Sequence, residues 1–193
     1  SFSPETFVRI QGNEITSYPM KGTLAVSETN KEEDLRHDYK EKAEHATIVD
    51  LIRNDLSKVS FPICVEKYQY IDRVKTNTGE LWQMSSKISG ELLPEFSRKY
   101  GSIMSALLPA GSITGAPKEA TMKLIRQAEQ YKRGFYTGIM GKFDGQSLNS
   151  GVMIRFIEKQ AHGLVFKSGG GITVFSDVKK EYEELIQKVY LPF

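Results

Sequence analysis

With 193 residues, 39% of them apolar and 26% charged, the chain is long enough for one well-packed globular domain or a large part of a bigger one. A net charge of +2, with both signs interspersed, leaves no electrostatic footprint for nucleic acid or a membrane surface. The single cysteine, Cys64, excludes an internal disulfide, and no apolar run reaches the ~20 residues of a membrane-spanning helix, so a cytoplasmic setting is expected.

The stretch from Ser3 to Thr23 predicts a hairpin. Thr6, Phe7, Val8 and Ile10, then Glu14, Ile15 and Thr16, supply β-type residues on either side of a Gln11-Gly12-Asn13 turn. Folding it brings a carboxylate, Glu5, and an amine, Lys21, toward one rim. Such a pair serves as acid and nucleophile if both pKa values move toward neutrality; otherwise it is two exposed charges on a surface hairpin. Lys31 to Arg36 is a charge cluster, a loop or a helix lead-in. From Asp38 to about Val59, apolar residues recur at three- and four-residue steps with acids ahead of them, as in an amphipathic helix. Ile63–Ile71 and Leu81–Ile88 alternate as strands, with a turn at Thr76–Gly79. Pro94–Leu108 predicts one or two short helices, and Pro117–Tyr131 an amphipathic helix with Pro117 in its first turn. Phe135–Phe143, Ser150–Glu158 and Leu164–Lys167 are expected as strands and Val178–Tyr190 as a closing helix. Without repeats or linkers, the expected organisation is a single α+β domain over residues 1–193.

Two E-x-x-E pairs, Glu41/Glu44 and Glu181/Glu184, each set two carboxylates on one helical face. Faces of this kind meeting in a cleft offer hard oxygen ligands suited to Mg²⁺; apart, they are solvated helix surface. Gly111–Lys118 runs straight into a helix start, which is either an anion site or a plain helix entry. Gly169, Gly170 and Gly171 permit close backbone approach to a ligand, or form a hairpin turn. Arg155, read as mid-strand, pairs with a structural acid or clamps a carboxylate through both guanidinium nitrogens. Lys188 falls one turn after Glu184. His45 follows Glu44 but points to another side of the helix and is read as structural. No Ser-His-Asp arrangement or Cys/His metal spacing is present, which argues against acyl transfer and zinc chemistry.

Taken in order, SPE, PMKGT, AEHATIVDLIRNDL, GSITGAPK, RGFYTG, IRF, SGGGI and EYEELIQK span Ser3 to Lys188. This ordered set resembles the chorismate-utilising enzymes, and among them component I of aminodeoxychorismate synthase (para-aminobenzoate synthase). The resemblance implies two packed antiparallel sheets flanked by helices, as in anthranilate synthase component I, incomplete at the N-terminal side. The chain would then be the C-terminal part of the chorismate-binding domain. It further implies amination of chorismate to 4-amino-4-deoxychorismate for para-aminobenzoate and folate synthesis, with ammonia from a glutamine amidotransferase subunit. Glu44 and Glu184 match Mg²⁺ ligands, with Glu41 and Glu181 behind them. Glu5 matches the general acid and Lys21 the nucleophile. Tyr136, Arg155, Gly169, Gly170, Gly171 and Lys188 match the holders of two substrate carboxylates, with Thr114 and Gly115 beside the ring. Anthranilate synthase carries alanine where Lys21 stands, and isochorismate and salicylate synthases lack a lysine there. Gln83 stands where the family commonly has histidine, Leu24 where it has arginine, and Ser168 where it has alanine. A reading of another class is an inactive chorismate-binding or regulatory module.

Overall fold

The computed structural model describes residues 1, 4–76, 79–174 and 176–189. Strand β1 (Thr6–Gln11) and strand β2 (Glu14–Ser17) form the expected hairpin, with Arg9 opposite Thr16 and Ile10 opposite Ile15. Gly12 closes the turn at φ +61°, a region that costs glycine nothing because it lacks Cβ. The chain then leaves the hairpin. Strand β3 (Met20–Ala25) pairs with the first half of β5 (Gly79–Leu92), Leu24 opposite Trp82, while β2 takes the second half of the same edge. Strand β4 (Ser60–Thr76) runs along the other edge of β5. On its far side β1 pairs with β7 (Ser147–Val152), which pairs with β6 (Ile139–Phe143). These seven strands form one antiparallel sheet, and β8 (Phe156–Gln160) with β9 (Gly163–Lys167) form a second, two-stranded one. The architecture is thus the expected combination of antiparallel sheets and helices.

Helix α1 (Glu32–His37) arises from the charge cluster and buries Leu35. Helix α2 (Tyr39–Leu56) starts where Asp38 Oδ1 accepts the Glu41 N–H at 3.0 Å, satisfying one of the first-turn donors. Its buried residues include His45, Val49, Ile52 and Leu56, a stripe at helical spacing. The apolar ones pack with Phe7, Val8, Ile10, Ile15, Ile88 and Leu92 of the sheet, and with Ile103 and Leu107 of α3 (Tyr100–Leu107). Each such side chain stabilises the fold by about 1.5–3 kcal/mol. Helices α4 (Gly111–Thr114) and α5 (Lys118–Ala128) follow α3, with Pro117 as N-cap of α5 rather than inside its first turn. Helix α6 (Val178–Gln187) closes the described fold, with Lys188 at its C-cap.

Three strand expectations change. The first, Phe135–Phe143, begins only at Ile139, because Tyr136 and Thr137, the latter at φ +64°, lie in a turn. The central pair extends well beyond Ile63–Ile71 and Leu81–Ile88, because cross-strand charges such as Arg73 with Glu80 support its outer end. The expected Ser150–Glu158 strand is broken: β7 ends at Val152, β8 begins at Phe156, and Arg155 sits between them at φ +50°. Arg155 is therefore not mid-strand. Ser3, the tip of the Thr76–Gly79 turn (residues 77 and 78) and the expected helix end at Tyr190 lie outside the described residues. Among the described residues no helix is long and apolar enough to cross a membrane.

Candidate active site

Lys21 sits where β3 is irregular. Its register against β5 shifts between Met20 and Thr23, and Gly22 takes φ +95°. Helix α2 packs across this segment and sets Glu44 Oε2 3.0 Å from Lys21 Nζ. Burial pulls the Lys21 ammonium toward neutrality, but hydrogen bonding and charge from Glu44, joined by Glu41 and Glu184, outweigh it and hold its pKa above the ordinary lysine value. Carboxylates from two helices distant in sequence thus act on one amine. Gly22 lets α2 approach: a Cβ there would stand 3.2 Å from Glu41 Oε2. The Glu41 carboxyl is pushed up by burial, then by Glu44 and Asp38, against the opposing pull of Lys21. Lys188 Nζ lies 2.5 Å from Glu184 Oε1, and that hydrogen bond holds Glu184 below the usual glutamate range. Glu181 accepts from Ser176 Oγ at 2.6 Å.

Carboxylate oxygens are the donor chemistry Mg²⁺ takes, so the residue types fit that ion. Among the described residues no three His, Cys, Asp or Glu side chains gather closely enough to hold a metal. Glu44 is engaged by Lys21 through Oε2 and Glu184 by Lys188 through Oε1.

Glu5 is anchored by its own carbonyl, which accepts the Val152 N–H at 2.8 Å. Its Oε1 lies 3.4 Å from Arg155 Nη2. Lys21 lies in β3, beyond the β1–β2 hairpin that was expected to end at it, and the two residues carry different counter-charges: Arg155 for Glu5, Glu44 for Lys21.

Tyr136 is buried beneath the glycine run. A Cβ on Gly169 would fall 2.0 Å from Tyr136 Oη, so only glycine fits. Tyr136 leads into Thr137 at φ +64°, unusual for a β-branched residue. Arg133 spans this corner, bonding both Glu129 oxygens at 2.6 and 2.7 Å and Thr137 Oγ1 at 3.0 Å. Gly170 approaches Glu181, while Gly171 has open space around its Cβ position. Thr114 is buried and turns its hydroxyl back to the Ala110 carbonyl at 3.2 Å, and Gly115 ends α4 at φ +77°.

Two groups escaped the sequence reading. Lys118, expected only as the end of a possible anion loop, bonds both oxygens of buried Asp55 at 2.8 Å, and Lys58 Nζ lies 2.8 Å from Asp55 Oδ1. The position of Asp55 beside the apolar stripe of α2 was the available signal. Ser86 was the other. His45 Nε2 lies 2.7 Å from Ser86 Oγ, and His45 Nδ1 lies 3.1 Å from the Lys21 carbonyl oxygen. Burial pushes the His45 pKa down.

Residues 1–192 match the family described as chorismate binding enzyme, and the chain belongs to that family. An uncharacterized PabA-like protein of Haemophilus influenzae is 54% identical over 191 residues, 99% of this chain and 58% of that protein. Aminodeoxychorismate synthase component 1 of Bacillus subtilis is 34% identical, over 97% of this chain and 40% of its own. The crystal structure of anthranilate synthase component I from Streptococcus pneumoniae superposes with a TM-score of 0.83 at 32% identity, covering 97% of this chain and 41% of that one. The chain therefore spans less than two thirds of the length of these relatives.

Proposed function

We propose that this chain carries the reacting residues of a Mg²⁺-dependent, cytoplasmic aminodeoxychorismate synthase component I, as the C-terminal part of its catalytic domain. The observation that carries the reading is Lys21, a half-buried amine 3.0 Å from Glu44 and acted on by carboxylates of α2 and α6. The Bacillus subtilis relative bears that activity in its name.

In this reading Glu5, protonated, gives its proton to the departing 4-hydroxyl of chorismate. The Lys21 amine attacks ring carbon 2, its new C–N bond forming as the allylic C–O bond at carbon 4 breaks and water leaves. Ammonia then bonds to carbon 4 as the lysine–carbon 2 bond breaks, returning the amine and leaving 4-amino-4-deoxychorismate. Tyr136, Arg155, Gly169, Gly170, Gly171 and Lys188 hold the substrate carboxylates, with Thr114 and Gly115 beside the ring. Glu44 and Glu184, with Glu41 and Glu181 behind them, would hold Mg²⁺, which neutralises and orients a carboxylate. An unshifted lysine needs about 4.6 kcal/mol to become the free amine at pH 7. The Glu44 contact adds to that, so Lys21 must part from Glu44 before it attacks. Ammonia would come from a glutamine amidotransferase subunit.

The structural likeness to anthranilate synthase component I favours a second reading, in which the product is anthranilate. Product analysis of the full-length protein with chorismate, Mg²⁺ and ammonium separates them. Expected are 4-amino-4-deoxychorismate and, on denaturation during turnover, a chorismate-derived mass on Lys21 that Lys21→Ala removes. Anthranilate or isochorismate as product overturns the proposal, and chorismate bound but unchanged supports a regulatory module.

A further inference from the structure

We infer that His45 is a positioning residue for Lys21, holding the lysine's main chain through a directional hydrogen-bond chain that runs Gln69 N–H to Ser86 O–H to His45 to the Lys21 carbonyl. This rests on the assignment of Lys21 as the reacting amine. The His45 ring has no exposed surface and links α2 to β3 at one nitrogen and to β5 at the other. A carbonyl oxygen only accepts, so Nδ1 carries the proton donated to Lys21. In the neutral ring Nε2 then accepts, and the Ser86 hydroxyl must donate to it. Ser86 Oγ in turn accepts the Gln69 N–H at 3.0 Å.

Both ends of the chain are groups that the sheet has released. Lys21 lies in the irregular segment of β3, between the shifted pairs of Met20 and Thr23. Gln69 lies in a bulge of β4, where the register shifts between Lys67 and Tyr70 and φ is +50°. At these partly buried positions an unpaired carbonyl and an unpaired N–H would each carry a cost. One imidazole and one hydroxyl join them, and the point that becomes fixed is the backbone from which the Lys21 side chain departs. A reacting amine displaced by about 1 Å loses on the order of a hundredfold in rate.

The test has three arms on the full-length protein. Histidine ¹⁵N spectra should show His45 as the Nδ1–H tautomer, and an Nε2–H ring overturns the proposal. With chorismate, Mg²⁺ and ammonium, His45→Leu should lower kcat on the order of a hundredfold with KM held within about twofold, and His45→Gln, whose amide both donates and accepts, should restore most of it. Equal loss in both variants, or a change in KM alone, overturns it. Independently of turnover, acetic anhydride labelling read by peptide mass spectrometry should change at Lys21 but not at Lys40 or Lys67 in His45→Leu; unchanged labelling of Lys21 overturns it. Should His45→Leu not fold, Ser86→Ala carries the same kinetic and labelling readouts. A wild-type protein inert toward chorismate would reject the proposed function, and the tautomer and labelling arms would still decide the role of His45.

Discussion

Removing one partner of the Asp55–Lys118 pair is expected to be among the most damaging polar substitutions in the chain. The Asp55 side chain is 7% exposed and that of Lys118 18% exposed, so neither can be rehydrated cheaply when its partner goes. Loss of one member of a buried pair costs about 3–5 kcal/mol, most of it the uncompensated charge left behind. Lys118→Met leaves Asp55 with Lys58, which is 43% exposed and holds a 2.8 Å contact, so the lower end, about 3 kcal/mol, is expected. For a domain of this size that lowers Tm by about 6–12 °C. Asp55→Asn strands the Lys118 ammonium and should cost a similar amount. Combined, the two substitutions remove both charges in matched shapes, and the new amide oxygen can still accept from Lys58. The double variant should therefore recover about 2 kcal/mol relative to the sum of the singles, read as a coupling energy from urea unfolding of all four proteins. Additive singles, or a Lys118→Met midpoint equal to wild type, would refute a buried charge pair between α2 and α5.

Glu44→Gln or Glu184→Gln should raise the Mg²⁺ concentration needed for activity while leaving the unfolding midpoint nearly unchanged, since both carboxylates are partly exposed; wild-type Mg²⁺ dependence in either would remove it from the ligand set. Gly169→Ala should destabilise the protein by about 1–3 kcal/mol, because its Cβ meets Tyr136 Oη at 2.0 Å, and Tyr136→Phe should relieve much of that cost in the double variant. The Asp144 carboxyl, exposed in the β6–β7 turn, is held down to about 2 by the Ser147 hydroxyl and then the Ser147 and Gln146 N–H groups. Its folded pKa lies below the ordinary 3.8, so its stabilising contribution is present above that value and is lost as pH falls toward 2. A carboxyl ¹³C titration with its midpoint near 3.8 in the folded protein would reject the turn clamp.

Local signals carried far. Gly12 between two β-type runs and Asp38 ahead of a helical stripe each state a local energy minimum, and both appear as expected. Arg155 fails for a physical reason. Ile154 and Phe156 continue an apolar alternation through the break, and nothing in the residue types announces a positive φ at an arginine. The outer ends of β4 and β5 were missed because charged positions look like loop until each is paired across the ladder.

The candidate site divides along the same line. Spacing alone puts Glu41 and Glu44 on one helical face, but which cation they meet is decided by β3 pairing with β5 beneath α2, contacts between distant parts of the chain. The same geometry accounts for Glu44 and His45 together. Adjacent helix residues diverge by about 100°, which is why they were expected to serve different purposes. A strand crossing beneath the helix also diverges: the Lys21 side chain and its carbonyl leave the backbone in different directions. Glu44 takes the first and His45 the second, so two neighbours on α2 grip one residue of β3 at its amine and at its main chain.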